Sequence, residues 1–299
     1  MLPRIQRTRL VATLVSLACC VARTYPAHAQ TAVTACEQVV EGDAYLPGDL
    51  DCPPGTEAAV ELRSQGSLDM RGFSIHGGEF GVLCSGPHKM EAGVEIYVYT
   101  ACRVFGGGTI DGQSVQGIDG SRVDIADLTI SVAATDPTKS VQPLAITAHK
   151  GLRFTNLNLQ LAGTVPGIQC NGGVKGTGLT VSGGGTVIDN ARSVKIDGVT
   201  ASGYSRFAPY ARTVRLTNAS LTDGTEAIGE VPGVSLTRAV TLTNSVVTGH
   251  SGTAIRAQHI KLVGSSVTGN ALDLHADFPP RLVSSTCETS NGWGVCSND

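Results

Sequence analysis

The sequence predicts an all-β protein, a single-stranded right-handed parallel β-helix solenoid of about ten coils with roughly 20 residues each. Three observations predict this fold. A turn residue recurs at a regular interval of one coil, apolar and polar side chains alternate on both sides of it, and the chain is rich in glycine but only 4% aromatic. Few large side chains and many turn residues suit a narrow, regular core.

The turn residue is Asn, Gly, Asp or Ser in every coil. Five of the nine intervals between successive turn residues have the same length, and the others are longer, as insertions between coils would make them. Gly and Asn tolerate the left-handed backbone conformation that a one-residue corner requires. The turn residues are Gly72, Gly107, Asp127, Asn156, Gly178, Gly198, Asn218, Asn244, Gly264 and Ser284.

The alternation around each turn residue predicts two strands that meet at a corner. In the coil around Asn218, Val214 and Leu216 precede the turn, and Ser220 and Leu221 follow it. Side chains of a strand point alternately to its two faces, so the apolar positions form the core and the hydroxyl positions face outward. A second set of glycines, five residues after the turn, marks the next bend and completes a coil of three short strands: Gly183, Gly203, Gly249 and Gly269.

Residues 1–29 have the features of a signal peptide. Basic residues Arg4, Arg7 and Arg9 precede the apolar stretch 10–22, and Ala27 and Ala29 predict cleavage before Gln30. A lipoprotein signal around Cys19 and Cys20 is the alternative. The expected mature protein is one β-helix domain, residues 30–299, secreted or periplasmic, and we expect no integral membrane segment in it.

Seven cysteines follow the predicted cleavage site, and an exported protein is expected to use them in disulfides. Sequence neighbours pair as Cys36–Cys52, Cys84–Cys102 and Cys287–Cys296. The two terminal pairs, with Trp293 beside the last one, are expected to staple the ends of the solenoid, which need caps, and Cys84–Cys102 is expected to bracket the 85–101 insertion. Cys170 is left over, and we expect it to be buried rather than nucleophilic. No CxxC spacing predicts zinc.

A column of cations stands three residues before the turn in successive coils. It alternates with two apolar columns, so it is expected to point outward. Long basic chains can protect an exposed strand face. They can also bind a linear polyanion, such as an acidic polysaccharide, along the rod, whereas the net charge of −3 argues against nucleic acid. The predicted binding residues are Arg153, Lys175, Lys195, Arg215, Lys261 and Arg281, with Thr241 interrupting the series.

Catalytic residues, if the protein has any, are expected in the three insertions at 85–101, 131–142 and 229–238, because binding and catalytic residues are often found on loops. None of them has the spacing of a metal site or of a nucleophile and its base. The sequence therefore predicts solvated loops, no metal and no cofactor. The aromatic residues Tyr204, Phe207 and Tyr210 could stack on sugar rings. Packing in the core or at a turn is the expected alternative for them.

The coil pattern resembles the right-handed parallel β-helix superfamily that includes pectate lyases and polygalacturonases. The stretch Gly106–Gly112, with the sequence GGGTIDG, is similar to a glycine-rich structural motif near the start of polygalacturonases. Their Asn-Thr-Asp and Asp-Asp motifs are missing, and Gly249-His250-Ser251-Gly252 only partly matches their Gly-His-Gly motif. Glycoside hydrolysis needs two positioned carboxyl groups. Pectate-lyase chemistry needs a base and usually calcium, for which Asp189 and Asp197 are the nearest carboxylates.

Three functions follow as hypotheses. The first is an exported β-helix protein that binds an extracellular or envelope polyanionic polysaccharide without cleaving it. The second is a divergent polysaccharide lyase or glycoside hydrolase, with calcium only if it is a lyase. The third is a structural surface or adhesion module. Whether the chain is an enzyme, and its oligomeric state, do not follow from the fold.

Overall fold

The computed structural model describes residues 30–299 apart from 87–88, 92–93, 97, 134–142 and 230–236. The predicted signal peptide, residues 1–29, lies outside the described residues, as do His88, Asp136, Lys139 and Glu230 of the three insertions.

The described chain is all-β. Its strands are β1 Thr31–Ala32, β2 Gln38–Tyr45, β3 Leu50–Cys52, β4 Ala58–Asp69, β5 Ile75–Gly77, β6 Phe80–Cys84, β7 Lys89–Glu91, β8 Val94–Ile96, β9 Ala101–Phe105, β10 Thr109–Asp111, β11 Gln116–Val132, β12 Leu144–Leu161, β13 Ile168–Cys170, β14 Gly173–Gly183, β15 Ile188–Asp189, β16 Ser193–Ser202, β17 Arg206–Ala208, β18 Thr213–Thr222, β19 Glu226–Ile228, β20 Ala239–Thr243, β21 Val246–Thr248, β22 Thr253–Ala257, β23 His259–Val263, β24 Ser266–Val267, β25 Leu272–Ala276, β26 Arg281–Val283 and β27 Thr286–Cys287.

Apart from β7 and β8, which pair antiparallel with each other, these strands stack into a parallel β-solenoid of about ten turns. Twenty-one of them form one continuous sheet, and β17, β19, β22 and β25 form a second sheet of four. The long strands bend around the corners of the coil. We call the stretch before the turn residue the first face, the stretch after it the second face, and the remaining side the third face. In β11, which spans all three, these are residues 122–126, 128–132 and 116–120.

The turn residues adopt the predicted conformation. All ten have positive φ, from 48° at Ser284 to 82° at Gly72. The side chains of neighbouring turns also bond between coils where their chemistry allows: Asn156 Nδ2 donates to Asp127 Oδ1 at 2.7 Å. The second bend is confirmed as well, because the glycines five residues later have positive φ.

The core consists of stacked columns of apolar side chains, as predicted. Val194, Val214 and Val240 are buried in register, and so are Ile196, Leu216 and Leu242 two residues further on. Each side chain therefore packs on its equivalent in the coils above and below. The regular spacing of these columns fixes the register of the residues that alternate with them, which face outward.

The three predicted disulfides are present: Cys36–Cys52, Cys84–Cys102 and Cys287–Cys296. Cys170 is free and buried, and burial raises the pKa of its thiol. Trp293 Nε1 donates to the carbonyl of Ala276 at 2.9 Å, which ties the chain terminus to the last strand of the third face. Disulfides of this kind belong to oxidising compartments. Within its described part, the chain has no helix that is long and apolar enough to cross a bilayer.

Candidate functional site

The basic column lies on the first face in unbroken register. Arg153 pairs with Lys175, Lys175 with Lys195, and so on through Arg215, Thr241 and Lys261 to Arg281. The six cations are exposed, and Thr241 is half-buried. Neighbouring coils are about 4.8 Å apart. Among the described residues, none of the six cations forms an ion pair. The column is therefore an array of positive charges without ion-pair partners among the described residues, although Asp124 is the register neighbour of Arg153.

A groove of about 630 Å³ runs along this column. One side is lined by the basic column from Arg153 to Thr241. The opposite side is lined by the next outward column, which consists of Thr155, Thr177, Asp197, Thr217 and Thr243. Residues 154, 176, 196 and 216 lie between the two columns and form the floor of the groove. A second groove of about 460 Å³ shares Arg153 and Lys175 with the first and extends it past Lys150 and Arg122. The two grooves form one elongated, cationic surface with hydroxyl groups opposite the cations.

Carboxylates within this surface are few. Asp197 is the one carboxylate lining the larger groove, and its Oδ1 accepts a hydrogen bond from Asn218 Nδ2 at 2.8 Å. Asp124 lies beside Arg153 in the register and lines the smaller groove. Asp189, the other carboxylate that the sequence offered for calcium, is on the third face in β15, so the two do not meet.

A second set of cations, which the sequence reasoning missed, flanks the basic column. Arg192, Arg212 and Arg238 stand three residues before Lys195, Arg215 and Thr241 and are exposed. Backbone hydrogen bonds place them above one another at the bend that precedes the first face: Arg238 N donates to the carbonyl of Arg212. None of the three lines either groove. They share the coils of the basic column but not its surface.

The first face ends, toward the C-terminus, in a pair of aromatic rings. His259 and Phe278 stack at 4.6 Å between ring centroids with an interplanar angle of 8°. His259 lies two residues before Lys261, so both side chains point outward from the same strand. Phe278 is 52% exposed. A flat apolar surface thus adjoins the last two cations of the basic column.

Another cluster, also absent from the sequence-based prediction, joins a carboxyl group, an imidazole and a phenol. The Asp119 carboxyl is on the third face and 2% exposed, and its Oδ1 lies 3.2 Å from His149 Nε2. The ring of Tyr99 stacks on His149 with 4.2 Å between centroids. We call these three residues the acid–imidazole cluster. Among the described residues, neither Asp119 Oδ1 nor His149 Nε2 has a well-aligned hydrogen bond, although both atoms are inaccessible to solvent.

Burial dominates the electrostatics of this cluster. Loss of water raises the pKa of Asp119 to about 6, although the charge and close approach of His149 and a hydrogen bond from Tyr99 act in the opposite direction. Burial also raises the pKa of Tyr99 to about 12, with further contributions from the charge of Asp119 and the hydrogen bond to it. A buried acid with a perturbed pKa, next to an imidazole and a phenol, is a common sign of a functional site.

A β-bulge positions His149. Gly120 pairs with Ala148 and Arg122 pairs with Gly151, so Ser121 alone opposes both His149 and Lys150. The extra residue turns the strand and directs two consecutive polar side chains outward. His149 remains 37% exposed at its side chain, and Lys150 lines the smaller groove. The bulge therefore places the imidazole one residue before Lys150, although His149 itself lines neither cationic groove.

Tyr99 belongs to the 85–101 insertion, for which the sequence predicted a solvated loop. The described end of that insertion does not stand free: Ser121 N donates to the carbonyl of Thr100 at 2.8 Å. β7 and β8 form an antiparallel hairpin within it. Tyr99 is thus held against the solenoid at the point where the first and third faces meet.

The other residues that the sequence singled out have structural roles. Tyr204 and Phe207 are buried and pack edge to face at 6.0 Å, and Tyr210 is half-buried, so this group is core and turn rather than a sugar platform. Tyr204 Oη lies 2.8 Å from His250 Nε2, and His250 Nδ1 lies 2.9 Å from Asn270 Oδ1. Burial lowers the pKa of His250. His250 is therefore part of a buried network and lines neither of the two cationic grooves.

Carboxylates and imidazoles also meet on the second face. His76 Nδ1 lies 2.5 Å from Asp111 Oδ1, and a hydrogen bond to Asp111 raises the pKa of His76. Both residues are exposed or half-buried, and neither lines the cationic grooves. Within the described ranges, no three His, Cys, Asp or Glu side chains come together in a group that could hold a metal ion.

In comparisons with known proteins, no family model, no curated protein and no solved structure matches this chain.

Proposed function

We propose that this chain is an exported solenoid that binds a linear polyanionic polysaccharide along the basic column. The observation that carries the proposal is the groove itself, in which four consecutive cations, Arg153 to Arg215, line one side at single-coil spacing. The resemblance to the β-helix superfamily and the three disulfides support an extracellular or envelope setting.

Charge repulsion favours a functional interpretation of the column. Two unit charges about 4.8 Å apart repel by about 1 kcal/mol in water, and each inner cation of the groove has such a neighbour on both sides. Salt and splayed side chains reduce this cost without removing it. A polyanion lying along the groove would turn the repulsion into attraction and release its own counterions.

The residues on the opposite side of the groove favour a carbohydrate as the ligand. Threonine hydroxyls and one carboxylate line it, and these groups donate and accept hydrogen bonds with sugar hydroxyls. A purely ionic partner would use the cations alone. We therefore expect an acidic polysaccharide whose charged groups meet the basic column and whose hydroxyls meet the threonine column.

The test is charge reversal with a control in the same coils. Lys195→Glu with Arg215→Glu should weaken binding of polygalacturonate or heparin at least tenfold. It should also lower the slope of log affinity against log salt by about two, because two ionic contacts are lost. Arg192→Glu with Arg212→Glu makes the same charge change in the same two coils but outside the groove.

Affinity is measured on surface-immobilised polymer at several salt concentrations, and thermal unfolding confirms that both variants fold. The control should retain affinity within a fewfold of the unaltered protein. Equal losses in both variants would mean that only net charge matters, and undiminished binding by the groove variant would refute the proposed site.

A further inference from the structure

We propose that the second face of the solenoid between Gly178 and Gly269 is an ice-binding surface, whose occupant is the ordered water lattice of an ice crystal. The surface consists of the residues two and four positions after the turn residue in five consecutive coils, and we call it the hydroxyl face. It lies on another side of the solenoid from the basic column, so the inference goes beyond polysaccharide binding. The members of the hydroxyl face are Thr180, Ser182, Thr200, Ser202, Ser220, Thr222, Val246, Thr248, Ser266 and Thr268.

The members of the hydroxyl face point outward because they alternate with core residues. Thr200 and Ser202 are exposed, and Ala201 between them is buried. The two columns keep their register from coil to coil: Thr180 pairs with Thr200, and Thr200 pairs with Ser220, with no bulge between them. A bend with positive φ bounds the face on each side in every coil. The face is therefore a regular strip of constant width.

The composition of the hydroxyl face differs from that of the first face. Nine of the ten side chains are hydroxyls, and each coil contributes one threonine. None of the ten is charged, although a solvated surface of this size ordinarily carries about three charged residues. The first face has a cation in four of the same five coils. Strand propensity accounts for threonine on an exposed strand, but it does not account for the lack of charge.

The spacing of the hydroxyl groups matches a crystal lattice of water. Neighbouring coils are about 4.8 Å apart, and side chains two residues apart on one strand are about 6.6 Å apart. The hydroxyl face is thus a rectangular mesh with these two repeats. The prism plane of hexagonal ice presents its oxygen atoms in rows with nearly the same two repeats. A hydroxyl group both donates and accepts hydrogen bonds, as each water molecule in ice does.

The hydroxyl groups are available to water and are held rigidly. In the part of the chain that the structure describes, the hydroxyl oxygens of Ser266 and Thr268 lie 3.5 Å apart, and the other seven hydroxyls of the face have no protein hydrogen-bond partner. Threonine is stiff at χ1 because it is β-branched. Strands on both sides fix the backbone, so little additional order is needed on binding. Water on this mesh is therefore arranged in advance for a growing crystal.

The lack of charge favours ice as the occupant over a dissolved ionic ligand. Ice excludes ions, because the hydration shell of a charge does not fit the crystal lattice. A charged side chain within the mesh would hold such a shell at the contact. The first face, with its column of cations, is unsuited to ice for this reason, and the hydroxyl face is suited to it.

The area of the hydroxyl face argues against a second copy of the chain as the occupant. The two coils that continue it toward the N-terminus are also uncharged, with Thr129, Ser131, Asn158 and Gln160. Seven coils and a width of about 13 Å give about 450 Å². A stable dimer buries about 800 Å² on each partner. An ice surface extends past the protein on every side, so all of the face can contact it.

The experiment compares two charge-adding variants in the same pair of strands, β16 and β18. Thr200→Lys with Ser220→Lys places two ammonium groups in adjacent coils of the hydroxyl face. Ser193→Lys with Thr213→Lys makes the same change in adjacent coils of the first face, at residues that line neither cationic groove. The measurements are the gap between the melting and growth temperatures of a single ice crystal, the crystal shape, and the fraction of protein that enters slowly frozen ice.

The unaltered protein should open a temperature gap, shape the crystal and enter the ice. The hydroxyl-face variant should lose all three effects, because the added charges hold water that does not fit the lattice. The first-face control should retain all three. Thermal unfolding checks that both variants fold, and Thr200→Lys alone replaces the double variant if that protein does not fold.

Each contrary outcome overturns a defined part of the inference. Exclusion of the unaltered protein from ice, with unshaped crystals, would overturn the proposed function of the hydroxyl face. Effects that persist in the hydroxyl-face variant would overturn the assignment to this face. A dimer that dissociates in that variant, measured by sedimentation, would identify a second copy as the occupant instead. Lys195→Glu with Arg215→Glu should leave ice binding intact, so this inference and the polysaccharide proposal fail independently.

Discussion

The ring of Phe154 occupies the space that a side chain on Gly176 would fill, one coil further along the first face. A Cβ placed on Gly176 would lie 2.3 Å from Phe154 Cε2. Both residues belong to the inward column that is otherwise aliphatic, and Phe154 is buried. The Phe154 ring thus fills its own position and the space left empty at Gly176. Both residues line the cationic groove.

Gly176→Ala should therefore destabilise the fold. The added methyl forces the Phe154 ring out of its position, which costs about 1–3 kcal/mol of the free energy of unfolding. Urea denaturation measures this. Gly151→Ala is the control, because a Cβ there meets nothing closer than the Gly173 carbonyl oxygen at 3.4 Å. Equal stability of the two variants would show that the ring can move at little cost.

Relief of repulsion in the basic column should be measurable in the absence of polymer. Lys195 lies between Lys175 and Arg215 in the register. Lys195→Gln should raise the free energy of unfolding by up to about 1 kcal/mol at low ionic strength. The gain should shrink in 1 M salt, where the Debye length falls to about 3 Å. A gain that is independent of salt would contradict the electrostatic explanation.

The pH dependence of stability should report on Asp119. Its pKa rises from 3.8 to about 6 in the folded protein, so the folded state binds this proton more tightly than the unfolded state does. Stability from this group is present below the unfolded value and is lost as pH rises from about 4 to 6. The difference corresponds to about 3 kcal/mol.

Asp119→Asn should abolish that decline and raise the free energy of unfolding above pH 6 relative to the unaltered chain. The gain is reduced by the loss of the interactions that His149 and Tyr99 make with the charged carboxylate. Chemical denaturation at a series of pH values compares the two proteins. A variant that is destabilised at every pH would show that the Asp119 carboxylate stabilises the folded state through its contacts with His149 and Tyr99.

The stacked rings at the end of the first face should discriminate between polyanions. A sugar ring packed on Phe278 would gain roughly 1 kcal/mol, or about fivefold in affinity. Phe278→Ala should weaken the binding of polygalacturonate by this factor. It should leave the affinity for inorganic polyphosphate, which has no ring to stack, unchanged. Competition between the two polymers on the immobilised protein measures both affinities. Equal losses for the two would indicate that the ring only supports the neighbouring strand.

The repeat made the fold and the basic column predictable. Turn residues such as Asn156, Gly198 and Asn244 recur in a frame that tertiary contacts preserve, so position in the frame predicts the face. The Arg192, Arg212 and Arg238 set was visible in the same frame. Its outward orientation was not predicted because these residues lie at a bend, where the alternation of apolar and polar residues does not indicate the direction of a side chain.

The acid–imidazole cluster could not be read in this way. Asp119 and His149 lie on successive coils, but an insertion between them breaks the period of the repeat, and Tyr99 lies inside another insertion. The bulge at His149 shifts the strand register by one residue, and no local sequence pattern indicates this shift. Contacts that depend on insertions and irregularities become visible only in three dimensions.

The parallel register gives the groove an unusual kind of modularity. Each coil contributes one outward position to the basic column, and the apolar columns of successive coils are interchangeable in size and spacing. Duplication or loss of a single coil would lengthen or shorten the cationic surface by one charge while every remaining strand keeps its partner type. The length of polymer held by such a protein can thus change in whole steps through gene segment duplication, with no substitution in the surface itself.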